Sequence, residues 1–345
     1  MSRISPIPPL AAVVLIALVI APADSSAAPE INSGKVEFNI TVDAPEGADK
    51  VRLWTPYPQS DEHQTIENLK VLGNFARKRV TTDKESRTRI LYLEWLGPME
   101  EQRFVNITFH ASSAERKVAP APREEPPIPE SVIKYTNATP LLPTDGEIGA
   151  LASAAVEGKI SIADKHSAIY SWVVENTFRD PNVLGCGVGA VEVTLAKRGG
   201  KCVDISTVYV TMARAAGVPA REVFGMRLGK EKGDNDVTGG HHCWAEYYQP
   251  GVGWVQTDPA DVRKFMLNRG LTLEQASETR EYYKSTVDPN RIVLGKTNRG
   301  IVLNPPQDGE LLNYFMYPYA EIDGKPVEWL AAQKELKYTI TYTRE

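Results

Sequence analysis

The sequence predicts an α+β protein in which an all-β region precedes a core of helices and antiparallel strands. Three observations support this fold class. Short runs of alternating apolar and polar residues occupy positions 35–117, two helical patterns follow between 161 and 217, and strand-like runs joined by a tight turn come next. With 345 residues and 42% hydrophobic content, the chain can bury more than one core.

An export signal is predicted at positions 1–27. Arg3 precedes an unbroken apolar run at positions 10–21, and small residues follow, which is the order found in secretory signals. As a helix this run would reach roughly 18 Å, against about 30 Å for the hydrocarbon core of a bilayer. We expect cleavage after Ala27, and Ala23 satisfies the same rule. The mature protein is therefore expected to be secreted or periplasmic, without a permanent membrane span.

The charge pattern excludes one class of partner. The formal net charge is −5, and acidic and basic residues are mixed along most of the chain. Proteins that bind nucleic acid usually present a basic stripe that neutralises phosphates. The sequence contains no long stripe of this kind, so nucleic acid is not an expected partner.

The N-terminal β domain is predicted at residues 30–120 and has a sandwich-like character. A linker and loop region at 121–160 follows it, because the prolines between 120 and 129 can build neither a strand ladder nor a helix interior. The strands of the β domain are expected near positions 36–42, 51–54, 90–95 and 103–109.

The catalytic core is predicted at residues 161–265 and opens with two helices. Ser161 and Asp164 resemble a capping box, and helical spacing continues to the break at Asp180. The second helix begins close to Cys202 and ends before Gly217, because its apolar residues recur at helical intervals up to that glycine.

Antiparallel strands are predicted after the second helix. They lie near 222–227, 243–248 and 253–257, and the last two are joined by a turn at 249–252. The tail at 266–345 alternates again, at 313–317 and 337–342. We expect it to be a C-terminal β extension of the core, and a small separate β appendage is the alternative.

Cys202 is the candidate nucleophile. It follows Gly199, Gly200 and Lys201 at the start of a helix, where unpaired N–H groups and the helix dipole favour an anion. Lys201 adds a cation, and the glycines allow close approach of a substrate and of an oxyanion. A buried structural cysteine is the alternative, although two glycines before a helix form a poor core environment.

Two adjacent histidines are the candidate bases. Because side chains alternate along a strand, only one of His241 and His242 can face Cys202. We choose His242, which shares its face with Trp244 and leaves His241 exposed on a glycine loop. Asp258 ends the next strand, sixteen residues after His242, where a hairpin would bring its carboxylate beside the imidazole.

No cofactor or metal is predicted. The sequence His-His-Cys at 241–243 could seed a metal site, but no second pair of ligands at a suitable spacing occurs elsewhere. The sequence also has no Asp-rich loop of the kind that binds calcium and no nucleotide-binding loop.

Three segments carry a family resemblance. The sequences GGKCVDIS, AAGVPAR and HHCWAEYYQPGVGWVQTDPA resemble, in order and spacing, the core of the transglutaminase-like superfamily over roughly residues 160–262. The resemblance implies a papain-like fold, with the cysteine-bearing helix packed on an antiparallel sheet. It implies that Cys202 attacks an amide carbonyl to form a thioester, that His242 transfers the proton and that Asp258 orients His242.

The resemblance leaves the reaction and the substrate open. Water as acceptor would make the protein a cysteine protease or amidase, and a lysine amine would make it a cross-linking transglutaminase. A non-catalytic binding module is the third alternative. We favour hydrolysis of a peptide or protein substrate, with Gly200, Lys201 and Trp244 as candidates for substrate or oxyanion contacts.

The remaining cysteines could form a disulfide. In an oxidising compartment a bond between Cys186 and Cys202 would inactivate the enzyme, whereas one between Cys186 and Cys243 would leave it active. Three free thiols are the other alternative.

Overall fold

The computed structural model describes residue 1 and residues 29–118, 120–297, 299–330 and 334–345. The export signal predicted at 1–27 falls, apart from residue 1, outside these described residues. Within the described part of the chain, no helix is long and apolar enough to cross a membrane.

Strands and helices alternate in groups along the chain. The strands are β1 (Ile31–Val42), β2 (Lys50–Pro56), β3 (Gln64–Gly73), β4 (Arg77–Thr82), β5 (Arg89–Leu96), β6 (Arg103–Ala114), β7 (Arg116–Lys117), β8 (Phe178–Arg179), β9 (Gly199–Gly200), β10 (Ala220–Arg227), β11 (Gly233–Asp236), β12 (His241–Gln249), β13 (Gly253–Thr257), β14 (Thr286–Val287), β15 (Arg291–Lys296), β16 (Tyr319–Ile322), β17 (Lys325–Pro326) and β18 (Leu336–Arg344). The helices are α1 (Glu130–Ile133), α2 (Gly146–Ala155), α3 (Ile162–Asn176), α4 (Val191–Lys197), α5 (Cys202–Ala215), α6 (Pro259–Arg269) and α7 (Ser277–Ser285), with a 3-10 turn at Lys134–Thr136.

Two five-stranded sheets form the β-sandwich that the sequence predicts. One sheet has the order β11-β18-β1-β6-β3, and the other has the order β17-β16-β2-β5-β4. Val36, Leu53, Leu93 and Ile107 are fully or almost fully buried in one apolar cluster between the sheets. Burial alternates from residue to residue along β1, as its apolar and polar residues do, and this is why the strand could be predicted from the sequence.

The end of the chain completes the sandwich. Strand β18 pairs with β1 from Gly34 opposite Arg344 to Val42 opposite Leu336, and β16 pairs with β2. The expectation that 266–345 extends the catalytic core is therefore wrong for β16, β17 and β18, and among the described strands of this region only β15 joins the core sheet. Alternation shows that a strand has one buried face, but it does not show which sheet edge the strand pairs with.

The strand predicted at 313–317 is also not formed. The segment runs as irregular backbone next to an isolated bridge at Leu312. Tyr314, Phe315 and Met316 are nonetheless fully buried. Consecutive buried aromatic residues can therefore fill a core without pairing as a strand.

The second half of the molecule is built around α5. The antiparallel sheet β13-β12-β10-β15 packs against this helix, and residues 202–214 are all buried. The helix begins at Cys202, as predicted, and Gly217 follows its end with φ of 75°, a conformation that glycine adopts readily. This arrangement confirms the predicted fold, in which a cysteine-bearing helix packs on an antiparallel sheet.

The proline-rich segment is anchored to this half. Residues 120–129 contain no helix or strand, as their prolines predict. The carboxylate of Glu125 accepts hydrogen bonds from the first N–H groups of α3, at Ile162 (2.8 Å) and Ala163 (3.1 Å). Ser161 caps the same helix through the N–H of Asp164 at 3.0 Å, which confirms the predicted capping.

Candidate active site

Cys202 and His242 both line a cavity of about 440 Å³. The cysteine is the first residue of α5 and only 1% exposed. Asp204 holds this end of the helix, because its carboxylate accepts hydrogen bonds from the N–H groups of Lys201 (2.9 Å) and Gly189 (2.8 Å). Cys202 therefore lies at a helix terminus that Asp204 holds in place through backbone hydrogen bonds.

The glycines around this helix terminus make room for Asp204. A Cβ atom at Gly187 would lie 1.9 Å from Asp204 Oδ2, and one at Gly200 would lie 2.5 Å from its Cβ. Gly200 is not among the residues that line the cavity. The structure gives it a packing role, rather than the direct substrate contact that the sequence suggested, whereas Lys201 does line the cavity.

His242 lines the same cavity as Cys202 and contacts Asp258. Its Nε2 lies 2.7 Å from Asp258 Oδ2, so Nδ1 is the nitrogen that remains for Cys202. The ring stacks on the indole of Trp244, with ring centres 5.7 Å apart and planes inclined at 24°. Both histidines line the cavity with Cys202, and His242 is the one that contacts Asp258, so its role as the base remains a prediction.

Asp258 lies at the junction between strand β13 and helix α6. It follows β13 and caps α6, where its Oδ1 accepts the N–H of Asp261 at 3.0 Å. Its Oδ2 accepts hydrogen bonds from both His242 and Arg291, the latter at 2.6 Å. A single carboxylate therefore ends a strand, begins a helix and orients the imidazole.

A buried ion network supports this carboxylate. Arg291 also contacts Asp261 at 2.9 Å and forms an ion pair with Asp288, while Arg227 forms an ion pair with Asp261. Arg291 is fully buried. The guanidinium groups of Arg227 and Arg291 lower the pKa of Asp261 well below its usual value, against a burial effect that alone would raise it.

The charges at the site favour a thiolate and an imidazolium. Burial opposes ionisation of Cys202, but hydrogen bonds from Cys186 and His242 and the nearby positive charges hold its pKa well below the ordinary value. Burial and Arg227 both lower the pKa of His242, but Asp258 and Asp261 outweigh them and raise it. Both shifts therefore favour transfer of the proton from the Cys202 thiol to the His242 imidazole.

The two other cysteines have different surroundings. All three cysteines are buried free thiols, so neither of the disulfides considered from the sequence is present. Hydrogen bonding to Cys202, followed by burial, raises the pKa of Cys186 well above its usual value, and its sulfur lies 3.1 Å from the carbonyl oxygen of His241. Cys243 packs in the apolar core between β12 and α5.

His241 is buried, and its expected exposure on a glycine loop is therefore wrong. It is 6% exposed and lines the cavity, with its ring 4.4 Å from that of Tyr317 and 5.8 Å from that of Tyr338. Burial lowers its pKa to about 4, so the ring is neutral near pH 7. Within the described residues its Nδ1 has no hydrogen-bond partner.

Trp244 does not reach the cavity, contrary to its suggested role in substrate binding. It is fully buried in a small apolar cluster with Val223, Val287 and Val293, and its Nε1 donates a hydrogen bond to Gln256. Since its ring packs against His242, it positions the imidazole from behind.

The acidic cluster contains donor atoms that could hold a metal ion. Ligand atoms of His242, Asp258 and Asp261 lie within 4.8 Å of one another. Both carboxylates are already paired with guanidinium groups of Arg227 and Arg291. A cation placed there would be opposed by those two charges, so the donor set fits an ion-pair network better than a metal site.

Several site residues were missed by sequence reasoning. The spacing of Asp258 and Asp261 is that of a helix cap, and it could have indicated the second carboxylate. Arg291 is 33 residues from Asp258 along the chain, and no local pattern signals its contact. Tyr317 reaches the cavity from the irregular segment after Leu312.

Comparisons with known proteins agree with this architecture. The model of the transglutaminase-like superfamily matches residues 149–259. An uncharacterised protein of Haemophilus influenzae is 32% identical over 331 residues, which cover 88% of this chain and 89% of that protein. A protein-glutamine γ-glutamyltransferase of Pseudomonas aeruginosa is 30% identical over 99 residues, covering 27% of this chain and only 15% of that protein.

A solved structure shares the fold at low sequence identity. It is the crystal structure of a candidate cysteine protease from Cytophaga hutchinsonii, with a TM-score of 0.55 and 14% identity over 91% of this chain and 98% of that one. The superfamily match spans α5, β12 and the end of β13, and so includes Cys202, His242 and Asp258. The chain therefore belongs to the transglutaminase-like superfamily.

Proposed function

We propose that the protein is an exported thiol hydrolase that cleaves amide bonds of peptides or proteins through a Cys202 thioester. The observation that carries the proposal is the arrangement at the cavity, which Cys202 and His242 both line and where His242 Nε2 lies 2.7 Å from Asp258 Oδ2. The predicted signal at 1–27 supports a secreted or periplasmic location.

The reaction follows from the paired charges. The Cys202 thiolate attacks the amide carbonyl carbon, and the carbon–nitrogen bond breaks as His242 gives its proton to the leaving amine. Water then attacks the thioester while His242 accepts a proton, and the carboxylic acid leaves as the thiolate is restored. Asp258 keeps the imidazole in the required orientation throughout.

The oxyanion is assigned to the backbone N–H of Cys202. The neighbouring N–H groups are already used, that of Lys201 by Asp204 and that of Val203 by the carbonyl of Cys186 at 2.9 Å. An N–H at the first position of a helix also benefits from the positive end of the helix dipole.

Cross-linking to lysine is the second candidate, and the cavity disfavours it. Arg179, Lys201 and Lys264 line the cavity with Cys202. A lysine ammonium approaching the thioester would meet these like charges, whereas water would not. A non-catalytic binding module is the third candidate, and it gives no reason for the charged pair at Cys202 and His242.

Iodoacetamide labelling at graded pH tests the proposal. After mild reduction, intact mass and peptide mapping follow Cys202 in the wild type, in His242→Ala and in the control His110→Ala, which changes a sandwich histidine. Cys202 should label well below pH 8.5, roughly the free-thiol pKa, in the wild type and the control but not in His242→Ala. Ordinary thiol behaviour in all three proteins would refute the enzyme and favour the binding module.

A further inference from the structure

The cavity above Cys202 has a cationic wall. Four of the residues that line it are basic, namely Arg179, Lys201, Arg227 and Lys264, and none of its described lining residues is acidic. Arg227 forms an ion pair with Asp261, but the other three make no ion pair within the described part of the chain. The net charge of the whole chain is −5, so this positive patch is local and opposes the overall charge.

Two of these cations are carried on elements that also position the catalytic residues. Arg179 ends β8, which pairs in parallel with β9, the two glycines that precede Lys201 and Cys202. Lys264 lies on α6, the helix that Asp258 caps. Both side chains are half-buried. Their charges are therefore held beside the nucleophile.

The electrostatics show that these cations affect one another and the thiol. The charge of Arg227, followed by burial, lowers the pKa of Lys264, and Arg179 adds to this effect. The positive charge of Arg179 is also among the influences that lower the pKa of Cys202, after burial and the effects of Cys186 and His242. Asp261 opposes the effect on Lys264 and pairs with Arg227, but no described lining residue is acidic, so an anion bound between Arg179 and Lys264 would reduce their mutual repulsion.

A second feature of the cavity also indicates a ligand. His241 is nine-tenths buried and neutral, and its Nδ1 has no hydrogen-bond partner among the described residues. It lines the cavity beside Tyr317. A buried polar nitrogen without a partner is costly, so an amide or carboxylate group of a substrate would satisfy it.

We propose that the cavity selects acyl donors that carry a carboxylate close to the scissile amide, with Arg179 and Lys264 as the anion-binding pair. This inference rests on the proposed thiol hydrolase and names its substrate class as acidic peptides. Arg179 offers a planar fork that suits a carboxylate, and Lys264 adds a point charge. His241 provides a neutral polar contact, and the same cations disfavour a lysine acceptor.

Two alkylating reagents of nearly the same shape test the charge preference. Iodoacetate and iodoacetamide both place a carbon on the Cys202 sulfur as iodide leaves with its electron pair, but only iodoacetate is an anion. A change in the thiolate fraction of Cys202 affects both rates equally, so the ratio of the two rates reports the anion preference alone. A simple thiol, 2-mercaptoethanol, provides the reference ratio.

The anion site predicts a ratio that depends on the two cations. In wild type the ratio of the iodoacetate rate to the iodoacetamide rate should exceed that of 2-mercaptoethanol by about tenfold and fall severalfold in about 0.5 M salt. The double variant Arg179→Gln/Lys264→Gln should lose most of this preference. The control Lys84→Gln/Lys159→Gln removes two exposed charges that do not line the cavity and should keep it.

The inference fails if the wild-type ratio is no higher than that of 2-mercaptoethanol, or if the double variant keeps it. A failure of the proposed thiol hydrolase can be told apart from a failure of the anion site. The first would appear as an ordinary-thiol pH profile in the iodoacetamide labelling, without any use of iodoacetate. A binding measurement on Cys202→Ala avoids the chemistry altogether. Calorimetry should show the acetylated, amidated dipeptide of two glutamates binding at least about tenfold more tightly than the glutamine dipeptide, and equal binding would overturn the anion site.

Discussion

Replacing Arg291 by methionine should destabilise the protein by removing the buried cation behind the candidate active site. Arg291 is fully buried and contacts Asp258 at 2.6 Å and Asp261 at 2.9 Å, in addition to Asp288. Methionine fills a similar space but leaves these carboxylates without their shared partner. Breaking a buried ion pair from one side costs about 3–5 kcal/mol, so we expect a loss of that order in the free energy of unfolding at pH 7.

The stability lost in Arg291→Met should depend on pH, and the pKa of Asp288 determines the direction of that dependence. In wild type Asp288 is buried, yet Arg291 lowers its pKa far below the usual value. A depressed carboxylate pKa contributes stability above the unfolded pKa of about 4, and that stability is lost as pH falls through the folded pKa. In Arg291→Met the pKa of Asp288 rises because its cation is gone. Protonation of Asp288 at lower pH then removes the cost of a buried, unpaired carboxylate. The difference in stability between the two proteins should therefore shrink as pH falls from 7 towards 4.

Urea unfolding followed by circular dichroism at several pH values measures this effect. The matched control is Lys35→Met, since Lys35 forms an ion pair with Glu37 at 3.3 Å in which the two side chains are 56% and 41% exposed. An exposed pair contributes about 0–1 kcal/mol, so the control should stay close to wild type. A loss below about 1 kcal/mol in Arg291→Met, or a loss that does not change with pH, would refute the reasoning.

Three further predictions concern the thiols and the triad. Cys186→Ala should raise the pKa of Cys202 and move the pH profile of its iodoacetamide labelling to higher pH, because the thiolate loses a hydrogen-bond donor. Cys243→Ala is the control, and an equal shift in both variants would contradict this role of Cys186. Asp258→Asn should slow Cys202 labelling at pH 6 by about tenfold or more, because His242 loses the carboxylate that favours its charged form; a wild-type rate would exclude that role. Peptide mapping without reductant should recover three alkylatable cysteines, and a cross-linked pair of cysteine peptides would contradict the free thiols.

The two halves of the molecule depend on each other through the chain termini. Strand β18 supplies the neighbour of β1, and β16 supplies the neighbour of β2. Tyr338, on β18, also lines the cavity above Cys202. A truncation before β16 would therefore leave both sandwich sheets incomplete and remove one wall residue of the cavity.

The candidate triad could be predicted because each member carries a local signal. Cys202 begins a helix after two glycines, His242 shares a strand face with Trp244, and Asp258 stands where a strand gives way to a helix. These are properties of neighbouring residues, which periodicity and capping chemistry express directly. The site's more distant partners, Arg227 and Arg291, lie in other strands and carry no comparable signal.

The sequence by itself determined the order of elements, the start of α5 and the alternation of the sandwich strands, and it nominated Cys202, His242 and Asp258 as the candidate triad. Only the tertiary structure decided which sheet the final strands join, that His241 is buried and that Trp244 lies behind His242. It also brought Arg179 and Lys264 to one cavity. The physical reason is that local patterns record a residue's own face and backbone, whereas edge pairing, burial and charge clustering depend on contacts between segments far apart in the chain.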